Sequence, residues 1–566
     1  MLFQFKKSIF CLCLLLSVIM PAIAAEEEAY QISGVMVNLG DARDHKISPD
    51  GKWVVFRADK EIQNKIELYK VPIEGGDVEK ISGEMTAFGD VSASYKFSPD
   101  SRRVVFRADK EEDGEFDLYS VSIKGTNPLL LTRFTLLFSD MSGLVSNDFE
   151  ISPDSERVVF TSDRDDDDSF LLYSVLIKQP VASVQFPFPL PLPEAEIISG
   201  SLITTGTVSQ FQISPNSSQV VFKANPVSGG TINLYRVSID GDTPINISNL
   251  TENPVAIPIG HLDYQISSDS DRVVYMAEKP DQARIDVYSV SMVDNSTVKL
   301  SNLPFFSLGV SSFDVSPDGS RVVINVPANS AFQIPASLYS ILIDGGNQVN
   351  MGGALVPNAN NFIIAFSDFL ISPNSQRVVF RIDNSVNDVV ELYSVLITGG
   401  NPERVSVVSS SIFIPTGDVI AGYIISPDSR RVVYRTNTGA ILSEKLYSSP
   451  ITVASSIGSR FLSGFIDGKF KISPDSNQVI FKSSTGIFAR RNLFRIPITG
   501  GAKEQLNNTL TNAYVLSEYS ISENGSHVVY RIISQDPDDS HALFAVKMGN
   551  DVTAAIIPVF MLLLLE

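Results

Sequence analysis

The feature that most constrains this 566-residue chain is a short block that recurs ten times. Ser-Pro-Asp or a near relative, preceded by an apolar residue and followed by an apolar run, starts at Ser48, Ser98, Ser152, Ser214, Ser267, Ser316, Ser372, Ser426, Ser473 and Ser522. Successive copies lie 50, 54, 62, 53, 49, 56, 54, 47 and 49 residues apart. That period is too long for a leucine-rich repeat and suits a unit of four short strands. In the second copy the block continues with Arg103 to Asp109, then Asp117 to Val121, then a turn at Lys124-Gly125.

Each piece of the block has a physical reason. Ser-Pro-Asp-Gly at 48–51 and 316–319 suits a type I turn, in which Pro presets φ, Asp fits the third position and Gly relieves strain at the fourth. Val-Val-Phe with flanking Arg is β-branched and aromatic, and Leu-Tyr-Ser-Val alternates like a half-buried strand. The Gly-Gly pairs at 75–76, 345–346 and 399–400 supply positive φ for the next hairpin, and a short fourth strand such as Glu79-Lys80-Ile81-Ser82 follows. Four antiparallel strands per repeat, with no long amphipathic helical pattern between repeats, predict an all-β fold of radial sheets: a β-propeller of about ten four-stranded blades.

The ends of the repeat array predict how the ring closes. Gln31-Ile32-Ser33-Gly34 mimics Lys80-Ile81-Ser82-Gly83, whereas the last repeat stops soon after Leu543-Phe544-Ala545-Val546 without a fourth strand. The N-terminal strand is therefore expected to complete the last blade and to remove open sheet edges. Two smaller propellers are the alternative; no Pro/Gly-rich linker divides repeats five and six, which favours one ring.

The repeated residues resemble the WD40-like Pro-Asp β-propeller repeat, found in TolB-type propellers and in those attached to prolyl-oligopeptidase-type and tricorn-type peptidases. The resemblance covers about residues 30–549. It implies a fold and leaves the function open. Neither the extra α/β domain of TolB before residue 46 nor a peptidase domain after the last repeat is expected.

Outside the array, residues 1–24 read as a signal peptide: Lys6 and Lys7, an apolar stretch from Ser8 to Met20, then Ala22-Ile23-Ala24. The domain plan is 1–24 signal, 25–549 propeller and 550–566 apolar tail, with a Pro-rich insertion at 179–200. An exported protein follows, periplasmic or extracellular, with the envelope as one setting. The twelve apolar residues Ala554 to Leu565 are too few to span a bilayer as a helix. Packing on the fold or a partner, membrane association and a loose end all remain open for them. Both cysteines, Cys11 and Cys13, fall in the signal, so the working protein holds no disulfide and no Cys-based zinc site. The composition is 44% hydrophobic, which excludes disorder as the main state, and the net charge of −20 argues against nucleic acid and favours a basic protein partner.

Three constellations are candidates for function. The acidic run Asp163, Asp165, Asp166, Asp167 and Asp168 lies between the second and third strands of the third repeat. Equivalent loops hold Asp109, Glu111, Glu112 and Asp113, and Asp536, Asp538 and Asp539, so one ring face is expected to be negative. The plain reading of that face is a solvated acidic surface; a site for a basic partner comes next and a cation site last. No cofactor is expected; Ca²⁺ is the weaker alternative, since the run lacks the Gly and distal Glu of an EF-hand loop. A basic series in the second strand, Arg57, Arg107, Lys223, Arg381, Arg435, Lys482 and Arg531, reads as structural. Glu67, Asp117 and Glu391 stand ten residues after Arg57, Arg107 and Arg381, where cross-strand pairing is expected. The Tyr series 69, 119, 173, 235, 288, 339, 393 and 447 reads as packing between blades.

Catalytic patterns are absent. His45, His261, His527 and His541 are scattered, and there is no Gly-x-Ser-x-Gly elbow, His-Glu-x-x-His or phosphate-binding loop. The lone Trp53 weakens a carbohydrate-stacking site. The expectation is an exported, non-catalytic propeller that binds or scaffolds proteins. A hydrolase or lyase with its site in the channel is the alternative.

Overall fold

The computed structural model describes residues 28–37, 40–132, 145–163, 169–178, 194–228, 230–248, 264–279, 284–304, 306–332, 334, 336–352, 366–384, 389–406, 419–420, 422–437, 444–452, 459–464, 466–484, 491–507, 513–534 and 541–549. These form ten four-stranded antiparallel sheets arranged as the blades of one ring, which settles the count in favour of a single propeller. In chain order the blades occupy 42–80, 91–130, 145–197, 207–246, 264–299, 312–350, 366–404, 424–464, 466–505 and 513–547, the last completed by residues 30–31. Among the described residues the only helical pieces are two 3₁₀ turns, Gly200–Leu202 and Ser330–Phe332. None is long and apolar enough to cross a membrane.

A blade sandwiched between two neighbours must bury both faces of its central strands, and Val-Val-Phe does this. In blade 1 the second strand, Trp53–Ala58, directs Val54 and Phe56 toward Val529 and Leu543 of blade 10. Val55, on the other face, packs with Tyr95, Phe106 and Tyr119 of blade 2. All three side chains are fully buried. Burying each contributes about 1.5–3 kcal/mol. The tyrosines expected between blades are there, and each of seven also stacks across its own hairpin: Phe56 on Tyr69 at 5.7 Å, Phe160 on Tyr173 at 5.4 Å, and so on to Tyr434 on Tyr447. In blade 6, Tyr339 faces Ile324 instead.

The Ser-Pro-Asp turns have the expected geometry and a second role. Gly51 N–H donates to Ser48 C=O at 2.8 Å, while the Ser48 hydroxyl donates to Asp50 and accepts from Trp53 N–H. Where Gly is replaced by Ser at the fourth position, the serine keeps a positive φ: Ser101, Ser155, Ser217, Ser270, Ser375, Ser429 and Ser476 lie between 59° and 66°. A side chain is rarely placed there. The reason is visible in the neighbouring blade. Each of these hydroxyls accepts the N–H of the third turn residue of the preceding blade, from Asp50 to Ser101 at 2.9 Å through to Asp428 to Ser476 at 2.9 Å. The turns are thus linked across seven of the ten blade boundaries on one face of the ring.

The closure predicted from the two ends is present. Tyr30 and Gln31 pair antiparallel with Ala545 and Phe544. Ile32 N–H donates to Leu543 C=O at 2.8 Å, as Ile81 N–H does to Leu68 C=O in blade 1. Leu543 N–H donates to the Ser33 hydroxyl, as Leu68 N–H does to Ser82. Gly34 and Gly83 then turn the chain with φ of 67° and 71°.

Candidate functional site

The basic series in the second strands is structural, but its partners are not those expected from the spacing. The register sets Arg57 opposite Leu68 and Ala58 opposite Glu67, so Arg57 and Glu67 project from opposite faces of the hairpin. The same shift separates Arg107 from Asp117 and Arg381 from Glu391. The carboxylate partners come instead from the inner strand of the same blade: Asp44 lies 2.6 Å from Arg57, Asp368 2.6 Å from Arg381, and Asp467 3.4 Å from Lys482. Lys223 reaches Gln210 in the same way. Arg435, set opposite Leu446, pairs with Glu444 at 2.7 Å.

These cations also tie blades together. Arg57 donates to Val91 C=O at 2.9 Å, Arg107 to Val145 at 2.8 Å, Arg381 to Val419 at 3.0 Å and Arg435 to Gly468 at 3.1 Å, in each case on the following blade. Arg531 of blade 10 reaches Ala42 C=O of blade 1 at 3.4 Å, so the belt crosses the closure.

The inner strands build the channel wall in two rows set by their distance from the turn serine. Three residues before it stands an aromatic ring in nine blades: Tyr95, Phe149, Phe211, Tyr264, Phe313, Phe369, Tyr423, Phe470 and Tyr519. In blades 5, 8 and 10 the Tyr hydroxyl donates to the second strand of the preceding blade, at Val221, Val379 and Ile480. Blade 1 has His45 in that place, and Val529 is the equivalent carbonyl. The shorter imidazole points toward Val529 but neither ring nitrogen closes a hydrogen bond of ordinary geometry. Burial, with Lys471 and Arg531 nearby, pushes its pKa down to about 4 against the pull of Asp44.

Two residues before the serine, alternation turns the side chains to the channel: Lys46, Lys96, Glu150, Gln212, Gln265, Asp314, Leu370, Ile424, Lys471 and Ser520 in blade order from 1 to 10. Several reach the inner strand of the next blade. Lys46 donates to Tyr95 C=O, Lys96 to Phe149 C=O at 2.6 Å and Lys471 to Tyr519 C=O at 2.7 Å, while Glu150 accepts from Ile213 N–H and Gln265 from Val315 N–H. Burial lowers the pKa of Lys46, helped by Lys96, and of Lys471, helped by Lys469. Glu150 is raised by burial, against its Ile213 bond and Lys96.

Two cavities open on this wall. One, of about 450 Å³, is lined by Lys96, Asp148, Glu150, Gln210, Gln212 and Tyr264 of blades 2–5. The other, of about 580 Å³, lies at the turn end of blades 8, 9, 10 and 1, where His45, Lys46, Lys471, Ser520 and Glu523 meet a wall of isoleucines.

The acidic loops sit at the opposite end of the strands. Glu111, Glu112 and Asp113 are exposed on the tip joining the second and third strands of blade 2. Asp109 is buried and structural, accepting Asp90 N–H at 2.5 Å and Gly114 N–H at 3.0 Å. Asp163 opens the equivalent loop of blade 3, half-buried. Asp165, Asp166, Asp167 and Asp168 lie outside the described residues, as do Asp536, Asp538 and Asp539, the signal peptide, the prolines at 187–193 and the apolar tail. Among the described residues no three His, Cys, Asp or Glu side chains are grouped to hold a metal.

No family model matches the chain, and no curated protein matches it. Solved structures similar to it include an oligogalacturonate lyase in complex with manganese, at 12% identity over 60% of this chain and 89% of that one, TM-score 0.34. A putative TolB from Agrobacterium tumefaciens is similar at 19% identity over 45% and 80%, TM-score 0.26. The tricorn protease is similar at 14% over 90% and 58%, TM-score 0.29. On its own ten sheets, joined end to end through residues 30–31, the chain is a ten-bladed β-propeller.

Proposed function

We propose that this protein is an exported, non-catalytic propeller that works as a rigid binding or scaffold module in the cell envelope or outside the cell. The observation that carries the reading is the use made of the charged residues that pair the inner strand with the second strand and one blade with the next. Asp44, Asp368 and Asp467 are spent on pairing with second-strand cations, and Arg57, Arg107, Arg381, Arg435 and Arg531 on fastening blade to blade. Groups so engaged stiffen a disc and are poor general acids or bases, which must be free to exchange a proton with substrate. The loops between the second and third strands then offer variable contacts on a fixed frame. Glu111, Glu112 and Asp113 suit a basic protein partner, and the reading needs no cofactor.

The test compares wild type with an E111Q/E112Q/D113N variant in capture of partners from envelope extract, at low salt and at about 1 M salt, where the Debye length falls to roughly 3 Å. The expected result is capture that weakens with salt and with the substitutions. Capture indifferent to both would overturn the acidic-face assignment. Turnover of a peptide, ester or glycoside that disappears in D148N or E150Q would overturn the non-catalytic reading.

A further inference from the structure

The row facing the channel carries an unusual stretch where the ring closes. Across blades 9, 10, 1 and 2 it reads Lys471, Ser520, Lys46, Lys96, three lysines in a protein whose net charge is −20, with the Lys471 ammonium reaching to blade 10 beside Ser520 and the Lys46 ammonium reaching on to blade 2. The lysines are held in place. Each donates to the inner-strand carbonyl of the next blade and stands over its ring, Lys46 4.8 Å from the Tyr95 centroid, Lys96 5.2 Å from Phe149 and Lys471 5.3 Å from Tyr519. A carbonyl does not neutralise an ammonium; Asp44 acts on Lys46 and Glu150 on Lys96 from a distance, but no described carboxylate makes a salt bridge to any of the three. Their charge is therefore directed at the channel, with side chains open to it.

The cavity of about 580 Å³ sits over the Lys471–Ser520–Lys46 stretch. Beside the cations its wall is aliphatic: Ile47, Ile424, Ile425, Ile472 and Ile521, with Pro427 and Pro474. His45 lines it as well, only 9% exposed and with neither ring nitrogen in a closed hydrogen bond. Cations beside a greasy wall select a molecule with an anionic head and an apolar body. Glu523 on the same rim disfavours a second negative charge. We propose that this end of the channel binds a small aliphatic monocarboxylate, its head held by the Lys471 ammonium beside the Ser520 hydroxyl and its chain lying on the isoleucines.

This site lies at the turn end of the strands, opposite the acidic loops, so it stands or falls separately from the partner surface. The probe is octanoate, titrated into the full chain by calorimetry, with acetate, octanol and inorganic phosphate as comparisons. Octanoate should bind, and each of the other three should bind about tenfold more weakly or not at all, since each lacks the chain, the charge or the single charge. K471M should weaken octanoate about tenfold, K46M should weaken it less, and K124M, on an outer turn, should not change it. S520D places a carboxylate beside the Lys471 ammonium without removing the lysine. It should abolish octanoate binding while leaving the melting temperature equal or higher, which keeps the test open if a lysine variant fails to fold. Octanol or phosphate binding as well as octanoate, or octanoate binding unchanged in S520D, would overturn the proposal.

Discussion

His45 occupies a position that nine other blades fill with Tyr or Phe, and its cost depends on pH. Its pKa is near 4 in the folded chain because burial and the nearby Lys471 and Arg531 oppose the charged form, against 6.5 for a free imidazole. Between those values the unfolded chain takes up a proton that the folded chain refuses. Stability is therefore full above about pH 6.5, falls as the pH drops toward 4 and then levels, a loss of roughly 3 kcal/mol at most from this one group. His45→Phe removes the effect. The difference in unfolding free energy between variant and wild type should grow in that window and be flat outside it; parallel profiles would contradict the assignment. The other two described histidines stand at the same boundary between blades 10 and 1. His527 lies 3.5 Å from Glu74, and His541 3.4 Å from Asp41. Far apart in sequence, they are gathered by ring closure, which no local pattern announces.

The turn serines make a second residue-scale prediction. Ser101 holds φ at 61° and accepts Asp50 N–H across the blade boundary. Ser101→Ala keeps the strain and loses the bond, so it should destabilise by about 1 kcal/mol. Ser101→Gly loses the bond but relieves the strain, and should fall within about 0.5 kcal/mol of wild type. Chemical denaturation of the two variants checks the order; an equal loss in both would mean that the hydroxyl is not the reason for serine.

At the scale of the strand and hairpin, register decides what charge meets what. Counting ten residues from Arg57 to Glu67 suggested a facing pair, but opposition in this hairpin runs Arg57 to Leu68, and a slip of one residue reverses the face of every side chain. The hairpin was legible in the sequence because Val-Val-Phe and Leu-Tyr-Ser-Val carry strand character; its register was not, because the intervening loop sets it. The inner row was also within reach: an aromatic stands three residues before nearly every turn serine, a spacing that marks a buried inward position. That Lys46, Lys96 and Lys471 line a channel depends on which strand is innermost, and the repeat alone does not say. A double-mutant cycle tests the corrected pairing. Arg381→Met combined with Asp368→Asn should show a coupling of about 1 kcal/mol, and combined with Glu391→Gln about zero, since Glu391 pairs with Arg404 at 2.7 Å. The reverse result would restore the pairing expected from spacing alone.

At the scale of the whole molecule, ten similar blades form one body because fastenings recur around the ring: the Val-Val-Phe faces, the turn serines at seven boundaries, the Arg belt at five and the inner lysines at three. The blade count was legible from ten in-phase turns, and the closure from the likeness of residues 31–34 to 80–83. All of these fastenings act on a closed circle only if the N-terminal strand holds blade 10 to the start of the chain. Amide hydrogen exchange at Ile32 measures this directly. Its N–H donates to Leu543 C=O at 2.8 Å, as that of Ile81 does to Leu68 within blade 1. The closed ring predicts that Ile32 exchanges as slowly as Ile81, and that Leu543 loses protection when residues 28–34 are deleted. Exchange of Ile32 at the rate of an unprotected chain would contradict it.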